Sequence, residues 1–198
     1  MPIHLNPDSF DALIFDLDGT LVDSAPAHFR AYNDALAPLG IALDWDWYLA
    51  HLGLASGPLK QAYEAAFGRA IPLSPADFAE RQVAGFLRNL HLVREKGVVA
   101  DVARQWSASL PLAVASSGNR VEVISTLQQV GLLPLFEVIV TSDNVARLKP
   151  SPDLFLEASR RLNVPAARCL VFEDSDQGMA AAAAAKMRAI DVRRMAAE

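Results

Sequence analysis

A single cysteine, Cys169, is all that the 198 residues contain. That excludes an intramolecular disulfide, and its place inside the apolar run Cys169 to Phe172 reads as a buried, inert thiol in a reducing, cytoplasmic compartment. Long hydrophobic runs are also missing. The longest, the alanine tract from Met179 to Ala185, is too short and too weakly apolar to span a bilayer, and residues 1–10 show no basic segment followed by an apolar one. Neither a membrane partner nor a secretory leader is expected. Runs of one charge are absent too: 18 Lys and Arg stand against 23 Asp and Glu, and the net charge of -5 argues against nucleic acid as a partner. A phosphorylated ligand would need neutralising by a few aimed groups rather than by a basic surface.

What is present, at 52% hydrophobic residues, suffices for one substantial core with room for one inserted subdomain. Four short apolar runs read as buried parallel strands: Ala12 to Phe15, Leu112 to Ala115, Val138 to Thr141 and Cys169 to Phe172. Ala189 to Val192 reads as a fifth. Helical periodicity lies between them, as in Val123, Ile124, Leu127 and Val130 closed by Gly131, and in a helix with Ser151 as cap and Pro152 as first residue. Further helices are expected near Val98 to Ser107 and Gln177 to Lys186. This alternation predicts an α/β fold, a doubly wound, Rossmann-like parallel sheet with ligands at the carboxyl ends of its strands. Residues 23–92 break the pattern, offering helices near Pro26 to Leu39, Gly57 to Phe67 and Pro75 to Leu90 and no strand. The expected division is therefore a core of residues 1–22 and 93–198 and a helical insertion of residues 23–92.

Chemistry-bearing residues gather where these strands end. The first runs into Asp16, Leu17, Asp18, Gly19 and Thr20, two carboxylates one residue apart with a glycine for the tight departure. Alone, such a pair reads rather as an ordinary turn that caps a helix, so the case rests on what the other strand ends carry. The second strand ends in Ser116, Ser117, Gly118 and Asn119, suited either to holding phosphate oxygens or to capping a helix through Ser117 or Asn119. Lys149 with Pro150 follows the third, and Glu173 with Asp174 the fourth, on an apolar flank that speaks against an idle acidic pair. Two aspartates, hydroxyls, a lysine and two more acids on consecutive strand ends make up one phosphate site.

With these four motifs the sequence resembles the haloacid dehalogenase superfamily of phosphotransferases over nearly its whole length. It is similar to the β-phosphoglucomutase-like branch through His28 to Tyr32 and Glu173 to Ser175, and within that branch to bacterial phosphatases of fructose 1-phosphate and 6-phosphogluconate through Val102 to Trp106, Val171 to Gly178 and Ala189 to Arg193. The resemblance implies a magnesium-dependent phosphatase of a small phosphorylated metabolite. Asp16 would be the nucleophile that forms an aspartyl phosphate, and Asp18 the general acid and base. Asp16, Asp174, Glu173 and the Asp18 carbonyl would surround Mg2+, while Gly19, Thr20, Ser116, Ser117 and Lys149 would hold the phosphoryl group. The insertion would be a small cap that selects the substrate. There His28 either helps close the site, as the mutase's histidine does, or is solvated beside Arg30. His4, His51 and His91 have no motif context, and Trp45, Trp47 and Tyr48 read as packing in the insertion's core or as a face for a sugar.

Two departures from the branch stand out. Around Gly53 to Lys60 the mutase offers an arginine for a distal phosphate, and here Lys60 is the nearest substitute, which favours hydrolysis over mutase-type transfer. Lys96-Gly97 stands where relatives often have Pro-Gly. A noncatalytic phospho-aspartate switch is the reading from another class. The exact substrate and the oligomeric state are left open by the sequence.

Overall fold

The structure is a computed structural model that describes residues 9–195; His4 and the segment read above for a leader, up to residue 8, lie outside it. Strands β1 (Ala12–Phe15) and β2 (Val22–Asp23) precede helices α1 (Ala25–Leu36), α2 (Trp45–Leu49), α3 (Ser56–Phe67) and α4 (Pro75–Arg88). Then come β3 (Arg94–Glu95), α5 (Gly97–Trp106), β4 (Leu112–Ala115), α6 (Arg120–Gln129) and β5 (Val138–Val140). The chain ends with α7 (Asp153–Leu162), β6 (Cys169–Glu173), α8 (Asp176–Ala184) and β7 (Arg188–Asp191). It packs as two compact units, Met1–Asp23 with Arg94–Glu198, and Ser24–Val93.

In the first unit a five-stranded sheet runs in the order β5-β4-β1-β6-β7 with every pairing parallel, meeting the expectation of a doubly wound α/β fold. Every residue of β1, β4 and β6 is buried, so these strands read as unbroken apolar runs rather than alternating ones, β6 as far as Phe172 with Glu173 at its end. Phe15 pairs with Val114 on one side and Phe172 on the other, and the Phe15 and Phe172 rings stack at 4.7 Å. Full burial of such side chains stabilises the fold by about 1.5–3 kcal/mol each. Because β1 lies between β4 and β6, the connections leave it in opposite directions, and the crevice where the topology reverses opens at its carboxyl end. A two-residue antiparallel ladder, Val22 with Glu95 and Asp23 with Arg94, closes the base of the insertion.

The second unit is wholly helical among its described residues. Tyr32, Leu36, Ile41, Leu43, Tyr48, Leu59, Tyr63, Ile71 and Phe78 form its core. Helices α1 and α4 approach closely because Gly85 has no side chain: a Cβ there would stand 3.0 Å from the backbone of Ala31. Short α2 escapes the periodicity argument, yet Asp44 caps it by accepting from the Trp47 N–H at 2.9 Å. Several helix limits differ from expectation by one to three residues, and two of the differences have a plain local cause. α1 stops at Leu36 and tightens into a 3-10 turn over Ala37–Leu39, since Pro38 has no N–H to continue the ladder. α7 starts at Asp153 with Pro152 as its cap residue, and Ser151 instead donates to the Asp153 carboxylate at 2.7 Å.

Candidate active site

Asp16 leaves β1 with its N–H still bonded to the Phe172 carbonyl at 3.0 Å, so the sheet itself sets the height of its carboxylate. Beyond it the chain coils tightly. The Leu17 carbonyl accepts from the N–H groups of Thr20, Leu21 and Val22, and the Gly19 N–H donates to the Val22 carbonyl at 2.7 Å. Gly19 has a φ of +87, and a side chain there would overlap the Asp174 carboxylate. Thr20, fully buried, donates its hydroxyl to Asp174 Oδ1 at 3.2 Å.

The Lys149 ammonium, carried on a cis Lys149–Pro150 peptide, sits 2.5 Å from Asp16 Oδ1 and 2.7 Å from Glu173 Oε2. Its side chain is only 6% exposed, and the Phe155 ring lies 5.0 Å from the nitrogen. Glu173, 1% exposed, spends its other oxygen on the Asp174 N–H, the Ser175 N–H and the Ser175 hydroxyl. Gly178 makes room for that carboxylate, for any side chain at 178 would collide with it. Buried charges persist only when paired, and here each has a partner of opposite sign or several N–H donors.

These neighbours shape the titration of the site. Burial above all, then Glu173 and Asp174, push Asp16 well above the ordinary carboxylate range, against the pull of Lys149. Burial also raises Asp174, with Glu173 adding to it, while the Thr20 hydroxyl, Lys96 and Lys149 pull the other way. For Lys149, burial works against the charged form, but Asp16 and Glu173 outweigh it and hold the ammonium charged. The carboxylates of Asp16, Glu173 and Asp174 each bring an oxygen within 4.8 Å of the others. Three hard oxygen donors, two of them with carboxylates driven towards protonation by burial first and neighbouring acids second, fit a divalent ion such as magnesium.

The end of β4 contributes a second group. Ser116 is buried, its N–H bonded to the Val140 carbonyl and its hydroxyl accepting from the Gly118 N–H at 3.0 Å. A Cβ built on Gly118 would stand 3.3 Å from the Ser116 hydroxyl and 4.0 Å from the Asp18 carboxylate, so Asp18 and Ser116 converge on this turn. Ser117 is exposed, and Asn119 is the residue that caps α6, accepting from the Glu122 N–H. Sequence reasoning left that cap open between Ser117 and Asn119.

The residues singled out in the helical unit behave differently. His28 is not solvated beside Arg30: its ring stacks on Phe86 at 4.1 Å and its Nδ1 lies 3.1 Å from the Gln82 amide, while Arg30 pairs with Asp34. Lys60 is 2.6 Å from Glu64, whose same oxygen accepts the Ile71 N–H. Tyr48 is buried and Trp45 is 37% exposed against Phe29. Sequence reasoning noted Lys96 only as a departure in Lys96-Gly97 and Gly178 only as the end of a motif, and gave neither a part in the site. Lys96 reaches the acidic loop with an ammonium 2.6 Å from the Gly19 carbonyl.

The family model described as haloacid dehalogenase-like hydrolase matches residues 10–186. Fructose-1-phosphate phosphatase YqaB of Escherichia coli is 32% identical over 94% of this chain and 98% of its own length. Protein CbbY of Rhodobacter capsulatus is 34% identical over 90% of this chain and 83% of its own. Among solved structures, CbbY from Rhodobacter sphaeroides in complex with phosphate superposes with a TM-score of 0.80 at 30% identity, covering 91% of this chain and 84% of that one.

Proposed function

Since the chain belongs to the haloacid dehalogenase-like hydrolases, we propose that it is a phosphatase that hydrolyses a small sugar phosphate through an aspartyl-phosphate intermediate on Asp16. One observation carries the reading: the buried Lys149 ammonium bridges Asp16 and Glu173 beside Asp174, at the carboxyl ends of parallel strands. A structural ion pair gains nothing from being placed at the mouth of a sheet with a third carboxylate against it. The phosphatase relatives and the phosphate-bound CbbY structure add the substrate class.

In the proposed reaction a carboxylate oxygen of Asp16 forms a bond to phosphorus as the bond to the leaving sugar oxygen breaks, and Asp18 gives that oxygen its proton. Asp18 then removes a proton from water, whose oxygen bonds to phosphorus as the Asp16–phosphorus bond breaks, releasing inorganic phosphate. Lys149 and the Ser116 hydroxyl hold the equatorial oxygens, with the amide of Ser117, while the amides of residues 19 to 22 are spent inside the loop and fix its shape. Thr20 keeps Asp174 oriented, and Glu173 keeps Lys149 aimed at Asp16. Magnesium, when held by Asp16 and Asp174 with Glu173 beside them and the Asp18 carbonyl, would offset the repulsion between the anionic nucleophile and the anionic phosphoryl group.

Hydrolysis is preferred over transfer between two positions of a hexose because Lys60, nearest to where the mutase has an arginine, is committed to Glu64. The helical unit, as the family's cap, would choose the sugar, and a cytoplasmic setting would keep Cys169 reduced. A panel of sugar monophosphates with magnesium, scored for free phosphate, tests the function. Turnover of at least one ester is expected. Glucose 6-phosphate formed from β-glucose 1-phosphate and a bisphosphate activator faster than phosphate is released would overturn it in favour of the mutase.

A further inference from the structure

Lys96 is a poor residue for its own element. It occupies the cap position of α5 without a side-chain cap bond, the first turn of that helix holds no acid, and a cation there opposes the positive end of the helix dipole. Gly97 follows it as the first helical residue, which helps no helix start. A lysine that breaks local rules needs its compensation elsewhere. Here it lies on the acidic loop, which Lys96 grips twice: its N–H donates to the Leu21 carbonyl at 2.8 Å, and its ammonium donates to the Gly19 carbonyl at 2.6 Å. The first bond extends the β2–β3 ladder by one step; the second leaves the ladder and takes hold of the turn itself.

The gripped peptide is the one that matters for geometry. Gly19 packs its bare Cα against the Asp174 carboxylate, the next residue donates its hydroxyl to that carboxylate, and the preceding residue is Asp18. Inside the loop the N–H groups of residues 19 to 22 return to Leu17 and Val22. The Gly19 carbonyl is thus the handle by which a group outside the loop sets the plane of this peptide. Lys96 is in turn braced from behind, for its neighbour Glu95 receives both guanidinium nitrogens of Arg104 from α5, at 2.5 and 2.8 Å.

We propose that Lys96 is a positioning residue for the phosphoryl-transfer reaction: by clamping the Gly19 carbonyl it holds Asp18 and Thr20 in the register that the Asp16–Asp174 pair requires. This rests on the phosphatase reading above. A group that fixes catalytic geometry without touching substrate changes the rate of the chemical step and leaves ground-state binding alone.

The experiment compares wild type, Lys96→Met and Lys96→Arg in two arms: steady-state kinetics on the best ester of the panel, and hydrogen exchange of the amides of residues 17–22 in the enzyme without substrate. For Lys96→Met the expected result is a kcat lowered about five- to twentyfold, as small misplacements of reacting groups produce, with KM within about twofold. Exchange across residues 19–22 should quicken, and Lys96→Arg, which keeps a charged donor, should restore most of both. An unchanged kcat with unchanged exchange overturns the proposal, and so does a raised KM with kcat held, which would make Lys96 a substrate contact. If wild type hydrolyses no ester, the phosphatase reading fails, and the exchange arm still decides whether the clamp exists.

Discussion

At the scale of single residues, Asp16→Asn keeps the volume at position 16 and leaves Lys149 its partner Glu173 at 2.7 Å, so the fold should survive while the proposed nucleophile is lost. The expected outcome is a fall in kcat of about 10³-fold or more, with circular dichroism and melting temperature close to wild type; substantial residual turnover would remove Asp16 from that role. Asp174 gives a pH-dependent counterpart. Burial, with Glu173, raises its folded pKa, so the folded protein prefers the protonated form and ionisation costs stability. That cost grows as pH climbs from the unfolded value, about 4, through the raised folded value, and is complete above it. In metal-free buffer near pH 7.5, Asp174→Asn should therefore melt higher than wild type, by ~2–4 °C for each kcal/mol recovered in a chain of this size. The gain should vanish towards pH 3, and a melting temperature lower than wild type at pH 7.5 would contradict it.

At the scale of elements, α1 and α4 meet at a contact that a methyl group would spoil. Gly85→Ala gains up to ~1 kcal/mol of helix propensity, yet the added Cβ would press on the Ala31 carbonyl oxygen and Cα, both backbone atoms that cannot rotate away. Overpacking of that kind costs ~1–3 kcal/mol, so chemical denaturation should show a net loss of stability with unchanged chemistry at Asp16. Elements of this kind differ in how far the sequence discloses them. β1, β4 and β6 are legible because a parallel strand covered on both faces is a near-continuous apolar run, broken in β6 only by Glu173 at its end, and their ends could be lined up from the motifs alone. α2 was not legible, since five residues are too few for a period to emerge and only the Asp44 cap marks it. The ladder of Val22 with Glu95 joins residues whose pairing no local pattern encodes. In the site, Asp16, Asp174 and Ser116 carry their chemistry in their residue types, whereas Lys149 by itself looks like any solvated lysine until the fold buries it between two carboxylates.

At the scale of the whole molecule, a net charge of -5 coexists with three clustered carboxylates, which a recruited cation would offset. Magnesium at about one hundred times its dissociation constant should raise stability by ~2.7 kcal/mol, seen as a higher melting temperature than in EDTA, and Asp174→Asn should shrink that shift. No shift at millimolar magnesium would dismiss the three carboxylates as its site. Among the described residues no helix is long and apolar enough to cross a membrane. The central place of β1 has a further consequence, for the chain is made from one end. Asp16 is separated by 133 positions from Lys149, and Thr20 by 154 from Asp174. At about 5–20 residues per second, the nascent chain exposes β1 and its acidic loop for on the order of ten seconds before β6 can flank them. During synthesis the most buried strand of the finished enzyme therefore waits as an open apolar edge, the kind of surface that pairs with other chains, until β6 covers it.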